Sequence, residues 1–152
     1  MCIRDRGCIL QAMGQNNEAQ IFFQKACAGN NQPVAAMYYN DQKPDKVFYQ
    51  GLALLKLGNE GKACSCFNRL IDFGEKHLFD IFKMDYFAVS LPDLQIWEDD
   101  MNRKNRVHCN YLMGLGHLGL GHVEKAKTYF GIASELDNNH QGVQIHSEMI
   151  NE

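Results

Sequence analysis

One arrangement of small and apolar positions occurs three times along the chain. Each copy begins with a glycine, and the next members follow at intervals of seven, five, four and three residues. The three copies are Gly7-Gly14-Ala19-Phe23-Ala26, Gly51-Gly58-Ala63-Phe67-Leu70 and Gly114-Gly121-Ala126-Phe130-Ala133. Intervals of three, four and seven place residues on one face of a helix. The pattern therefore predicts three helix–turn–helix units in the same internal register.

The two glycines of each copy have different predicted roles. The first (Gly7, for example) lacks a Cβ and so lets the second helix of the unit approach closely. The second (Gly14) ends the first helix, where a left-handed conformation is needed that only glycine adopts cheaply. The alanine and the phenylalanine then lie one turn apart on the inner face of the second helix. Each unit is thus expected to bury a stripe of small and aromatic residues.

The units are predicted at about residues 1–29, 45–76 and 103–136 of a single all-α solenoid domain. Within them, helices are expected from about residue 17 and over residues 45–57, 60–76, 102–120 and 123–136. A short helix is also predicted over 33–39, and a C-terminal cap over 139–152. The copies are 44 and 63 residues apart, so the array is irregular, with an insertion at 77–100.

This skeleton of glycine, alanine and aromatic positions resembles the tetratricopeptide repeat, a helix–turn–helix unit of about 34 residues. The resemblance implies an all-α, helix–turn–helix solenoid that acts as a scaffold. Its expected partner is a peptide or protein segment, or a neighbouring domain. The repeat pattern does not identify that partner and carries no catalytic residues.

Three longer strings resemble a more specific group. They are residues 38–42 (YYNDQ), 85–93 (DYFAVSLPD) and 105–109 (NRVHC), the last leading into Gly114-Leu115-Gly116. They are similar to the C-terminal end of a bacterial family of large repeat proteins of unknown function, whose N-terminal domain is a β-sandwich similar to galactose mutarotase. The resemblance implies that this chain is the tail of a longer protein, and that the missing N-terminal domain is a candidate partner.

Composition and charge narrow the function further. A net charge of −3 at pH 7 and the lack of a lysine or arginine stripe argue against nucleic acid as a partner. No run approaches the roughly 20 apolar residues of a membrane span, and no signal peptide is visible, which favours a cytoplasmic protein. The six cysteines form no CxxC motif, so no metal or cofactor is expected. His117 and His122 are expected to pack rather than to bind metal.

The best candidate binding site is the concave groove that the first helices of the repeats would form. Aromatic anchors beside a lysine suit an extended peptide or a neighbouring domain. The alternative is that the insertion at 77–100 already fills this groove. By register, the residues that would face the groove are Phe48, Tyr49, Leu52, Lys56, His108, Tyr111, Leu115 and Leu118.

The insertion at 77–100 supports a second hypothesis, in which the chain is an accessory part of a carbohydrate-active enzyme. Its aromatic residues, from Phe79 to Trp97, are expected to be buried against repeats two and three, with Pro92 starting a helix. Under this hypothesis a sugar site would include Asp93, Trp97, Asp99 and Asp100. The alternative interpretation is that the acidic run at 98–100 caps the following helix. This chain by itself is expected not to be an enzyme.

Overall fold

The computed structural model describes residues 3–35, 41–82 and 100–150, and within them it has seven helices and no strand. The helices form three successive helix–turn–helix pairs, α1 with α2, α3 with α4 and α5 with α6, and a final single helix. The helices are α1 Ile3–Ala12, α2 Asn16–Ala26, α3 Lys46–Lys56, α4 Glu60–His77, α5 Met101–Gly119, α6 Val123–Leu136 and α7 Gln141–Glu148.

Each pair packs on the next, α2 against α3 and α4 against α5, and α7 packs on α5 and α6. The all-α, tetratricopeptide-like solenoid predicted from the spacing is therefore confirmed. The helix boundaries agree with the predicted ones to within one or two residues, because each turn is specified by its own glycine and each helix by its own apolar stripe.

The glycines behave as the spacing predicts. Gly14, Gly58 and Gly121 have φ of 78°, 72° and 75°, the left-handed conformation that ends the first helix of each pair. A Cβ added to Gly7, Gly51 or Gly114 would come closer than 3.0 Å to the ring of the phenylalanine in its own repeat. Each phenylalanine ring thus lies flat against the glycine of the partner helix.

The junction between repeats two and three is an even closer helix crossing. A Cβ at Gly116 of α5 would meet the backbone oxygen of Phe67 and the side chain of Ile71, both in α4. A Cβ at Gly119 would meet the ring of Phe67, and Gly74 of α4 faces Met113 in the same way. Gly116 and Gly119 of α5 are therefore part of a close crossing with α4.

The segment before α3 differs from its prediction. Residues 33–35 are not helical, and residues 36–40 lie outside the described part of the chain. The carbonyl of Val34 instead accepts a hydrogen bond from His108 Nε2 at 2.8 Å, so this segment crosses to repeat three. A helix at this point would have used the same carbonyl internally, which explains why the local pattern was misleading.

The insertion is described only at its ends, since residues 83–99 lie outside the described residues. The predicted helix start at Pro92 and the predicted burial of Trp97 fall in that range. At the described start of the insertion, the predicted burial of Phe79 is wrong, because this residue is 83% exposed. The chain turns back just after α4, where Asp80 pairs with His77 (Oδ2 to Nδ1, 2.6 Å), and this turn points Phe79 outward.

The inner alanines provide a test of the repeat register. Ala63 and Ala126 are fully buried between the helices of their pairs. Replacing either with leucine should lower the free energy of unfolding by about 1–3 kcal/mol, since overpacking forces neighbouring side chains or backbone to shift. Urea denaturation followed by circular dichroism measures the change. Thr128→Leu, at an exposed position on α6, should change it by less than about 0.5 kcal/mol, and equal losses in all three variants would contradict the register.

Candidate functional site

Most residues predicted to line a concave groove are covered in this structure. Phe48, Tyr111 and Leu115 belong to the hydrophobic core and expose almost no surface. His108 is also buried, Tyr49, Leu52 and Leu118 are half-buried, and Lys56 is exposed. The groove is therefore not open at its central positions, and the predicted set is not one continuous accessible surface.

The C-terminal helix α7 accounts for part of this covering. Its residue His146 is buried among aromatic rings, 5.4 Å from Phe48, 5.6 Å from Tyr49 and 5.7 Å from Tyr111 between ring centroids. His140, just before α7, lies 4.7 Å from the Tyr111 ring. A segment predicted only as a cap thus packs on the first helices of both repeats two and three.

A hydrogen bond determines which ring nitrogen of His146 carries the proton. Its Nδ1 donates to the carbonyl of Gly142 at 2.7 Å, because a carbonyl can only accept, and the Tyr111 hydroxyl lies 3.1 Å from the same nitrogen. Nε2 is buried without a hydrogen-bond partner. Burial lowers the pKa of His146, partly opposed by the hydrogen bond to Gly142 and by the charge of Asp45. The side chain is accordingly held as a neutral imidazole.

The segment leading from α2 to α3 covers another part of the first-helix face. His108 donates to Val34, as described above, and Gln50 Nε2 donates to the carbonyl of Ala28 at 3.0 Å. Burial is the main reason that the pKa of His108 is lowered, although the hydrogen bond to Val34 acts in the opposite direction. The side chains of His108 and Gln50 thus bind the chain's own backbone carbonyls.

The alternative sugar site lies almost entirely outside the described residues. Asp93, Trp97 and Asp99 lie outside the described residues. Asp100 is the N-cap of α5, where its Oδ1 accepts a hydrogen bond from the backbone N–H of Arg103 at 2.9 Å. For Asp100, capping of the following helix is therefore the observed role.

Two histidines that the sequence separates by a turn come together at the end of repeat three. The Nδ1 atoms of His117 and His122 are 3.3 Å apart, and the His117 ring stacks on Tyr129 with centroids 5.4 Å apart. The stacking shows that His117 packs against a neighbouring ring, as expected from the sequence. Across residues 3–35, 41–82 and 100–150, no cluster of three or more histidine, cysteine, aspartate or glutamate side chains could hold a metal ion.

An exposed apolar surface on α1 was not predicted from the sequence. We call it the end face, and it consists of Ile3, Arg6, Ile9 and Met13. The three apolar side chains are 51%, 49% and 67% exposed. The guanidinium of Arg6 lies over the Phe22 ring, 4.5 Å from its centroid. The end face is thus a mainly apolar strip along the outer side of the first helix.

The register of the repeats explains what kind of surface this is. Ile9 corresponds to Ala53 in α3 and to Gly116 in α5, and both of these are buried. Gly116 is covered by Ile71 and the Phe67 backbone of the preceding repeat. The end face therefore occupies the positions that, in repeats two and three, pack against the repeat before. Alignment of the three copies identifies these positions from the sequence. It does not show that they are exposed in the first copy.

Comparison with known proteins agrees with this architecture. Residues 5–28 match the family model described as Tetratricopeptide repeat, which covers α2 and most of α1. The matched region thus includes Gly7, Gly14 and Phe23, the residues that set the geometry of the first pair. No solved structure matches the chain. In the described part of the chain, no helix is both long enough and apolar enough to cross a membrane.

Proposed function

We propose that the chain is an interaction scaffold whose end face packs against an α-helix of a partner protein or of a neighbouring domain. The observation that carries this proposal is the exposure of Ile3 and Ile9 at positions that the next two repeats bury. Exposed Met13 extends the same strip, and its equivalents Leu57 and Leu120 are half-buried. Tetratricopeptide-type repeats bind peptides and proteins in general, and each repeat is stabilised by the neighbours on which it stacks.

The expected occupant is an amphipathic helix with small and apolar residues on the contacting face. That is the character of α2 and α4, which cover the equivalent positions of α3 and α5. A domain similar to galactose mutarotase, implied by the resemblance of the longer strings, is one candidate source. The proposal includes a cytoplasmic location and no catalysis, nucleic acid or membrane binding by this chain.

A fusion tests whether the end face accepts a helix. Placing a copy of residues 45–78 directly before residue 1 sets its glycine about 34 residues before Gly7, the spacing of a regular tandem repeat. The fusion should unfold at a higher temperature and higher urea concentration than the parent, because the copied second helix covers Ile9 and Met13. A larger urea dependence of the unfolding free energy should accompany this, since more surface is buried.

Ile9→Arg supplies the control for this fusion. In the parent chain the side chain is half exposed, so the variant should lose less than about 0.5 kcal/mol of stability. In the fusion it should remove most of the gain, since a charged group would be buried without a partner. If the fusion gains no stability, or if Ile9→Arg has the same effect in both chains, the end face is not a helix-packing surface.

A further inference from the structure

A second surface with binding character lies on the other side of the molecule, where the end of α2 meets α3 and α4. It is a cleft of about 480 Å³ between repeats one and two. It is separate from the end face and does not depend on the function proposed above. Its wall includes Cys27, Gln50, Leu54, Lys62, Cys66 and Arg69.

The cleft exists because repeat two has a small residue where the other repeats have a ring. In the shared register Cys66 takes the place of Phe22 in repeat one and Tyr129 in repeat three. In repeat three the ring of Tyr129 stacks on His117, at an interplanar angle of 6°, and fills this space. The equivalents in repeat two are Cys66 and Leu54, and both are smaller. Cys66 is only 3% exposed, so it forms the floor of the cleft.

Gln50, one of the residues that line the cleft, holds a buried hydrogen-bond acceptor that no described residue uses. Gln50 is 2% exposed, and its Nε2 donates to the carbonyl of Ala28. Because that carbonyl can only accept, the orientation of the amide is fixed and Oε1 is the atom without a partner. A buried polar atom left unsatisfied is costly, and satisfied ones are the rule in folded proteins. A ligand N–H that reached Oε1 from the cleft would satisfy this acceptor.

The rim of the cleft is positively charged. Lys62 is exposed and Arg69 is half-buried, and within the described residues neither forms an ion pair with a carboxylate. Among the described residues that line the cleft there is no aspartate or glutamate. Arginine suits carboxylates because its planar donors can bind both oxygens. An N–H acceptor, an apolar floor and two cations together match a peptide backbone that carries an acidic side chain.

We propose that this cleft binds a short acidic peptide segment of a partner protein. A backbone N–H of the segment donates to Gln50 Oε1, and an aspartate or glutamate carboxylate pairs with Arg69 and Lys62. A small apolar side chain of the segment contacts Leu54 and occupies the space above Cys66. Repeat three does not offer this site, since the Tyr129 ring stacks on His117 at the corresponding position. Neither repeat one nor repeat three has a glutamine at the position of Gln50.

The test uses defined probes. Blocked pentapeptides with a central glutamate, preceded by alanine, valine or leucine, are titrated into the ¹⁵N-labelled chain and followed by NMR. At least one should give saturable shifts at the Gln50 side-chain amide and at the backbone amides of Ser65 and Arg69. The matched peptides with glutamine in place of glutamate should bind about tenfold more weakly, the loss expected for one charge-assisted hydrogen bond.

Variants separate specific binding from general attraction of charge. Arg69→Met should weaken binding about tenfold, whereas Lys56→Met, the loss of one exposed charge on α3, should change it by less than about twofold. Cys66→Phe places the residue of repeat one in the cleft and should abolish binding. Its folding is checked by thermal melting, and Gln50→Leu supplies a second loss-of-binding variant if Cys66→Phe unfolds. Equal losses for Arg69→Met and Lys56→Met, or no saturable shift with any peptide, would overturn the proposal.

Discussion

Replacing Phe67 with alanine is expected to lower the free energy of unfolding by about 3–5 kcal/mol, a large fraction of the stability of a domain this size. Phe67 is completely buried. Its ring lies against Gly51 of its own repeat and against Gly119 of the next, and it is 6.0 Å from the Phe48 ring. One side chain thus joins α3, α4 and α5, and its loss leaves a cavity at the centre of the solenoid.

Urea denaturation of Phe67→Ala measures this loss, and Phe79→Ala is the matched control. The same ring is removed in both variants, but Phe79 is 83% exposed, so its replacement should change the free energy by less than about 0.5 kcal/mol. Comparable effects of the two substitutions would mean that the α4–α5 crossing does not organise the core.

Acidification is the second change with a large expected effect. Burial is the leading cause that lowers the pKa values of His108, His140 and His146 below the ordinary 6.5. The unfolded chain therefore binds more protons than the folded one below pH 6.5, and stability present above that pH is lost as the pH falls. Each of the three histidines contributes up to about 1.4 kcal/mol per pH unit in this window.

His146→Phe is the variant that isolates one of these groups. The position is lined by the rings of Phe48, Tyr49 and Tyr111, so an aromatic ring is accommodated while the titrating group is removed. Between pH 6.5 and 5 the variant should lose stability less steeply than the parent, by up to about 1.4 kcal/mol per pH unit. Urea midpoints measured at each pH give the slope. An unchanged slope would show that His146 is not titrated on unfolding.

The repeat geometry could be read from the sequence because its determinants are local. Gly58 and Phe67 belong to one helix pair: Gly58 ends α3 through its own backbone conformation, and Phe67 packs against Gly51 of the same pair. The same is true of Asp100, which caps the helix that follows it directly. For such features the order of residue types is sufficient, since the turn and the inner face of a helix depend only on the nearest residues.

The candidate sites could be predicted only in part. Phe48, Tyr111 and Leu115 were correctly placed on the first helices, but the sequence did not indicate what would lie over them. The side chain of His146 covers Phe48 and Tyr111 from 35 residues or more along the chain, and Val34 reaches His108 across 74 residues. Such contacts depend on where two surfaces meet and leave no periodic signal.

The sequence alone thus determined the number of helix pairs, their register and the glycine-dependent turns of this chain, because these follow from intervals of three to seven residues along one helix or across one turn. The tertiary structure alone decided which apolar faces are covered. It buried the central residues of the predicted groove, in part under α7, left Ile9 and Met13 of α1 exposed and opened a cleft above Cys66. Periodicity specifies that a face is apolar, whereas burial depends on the non-local element that packs against it.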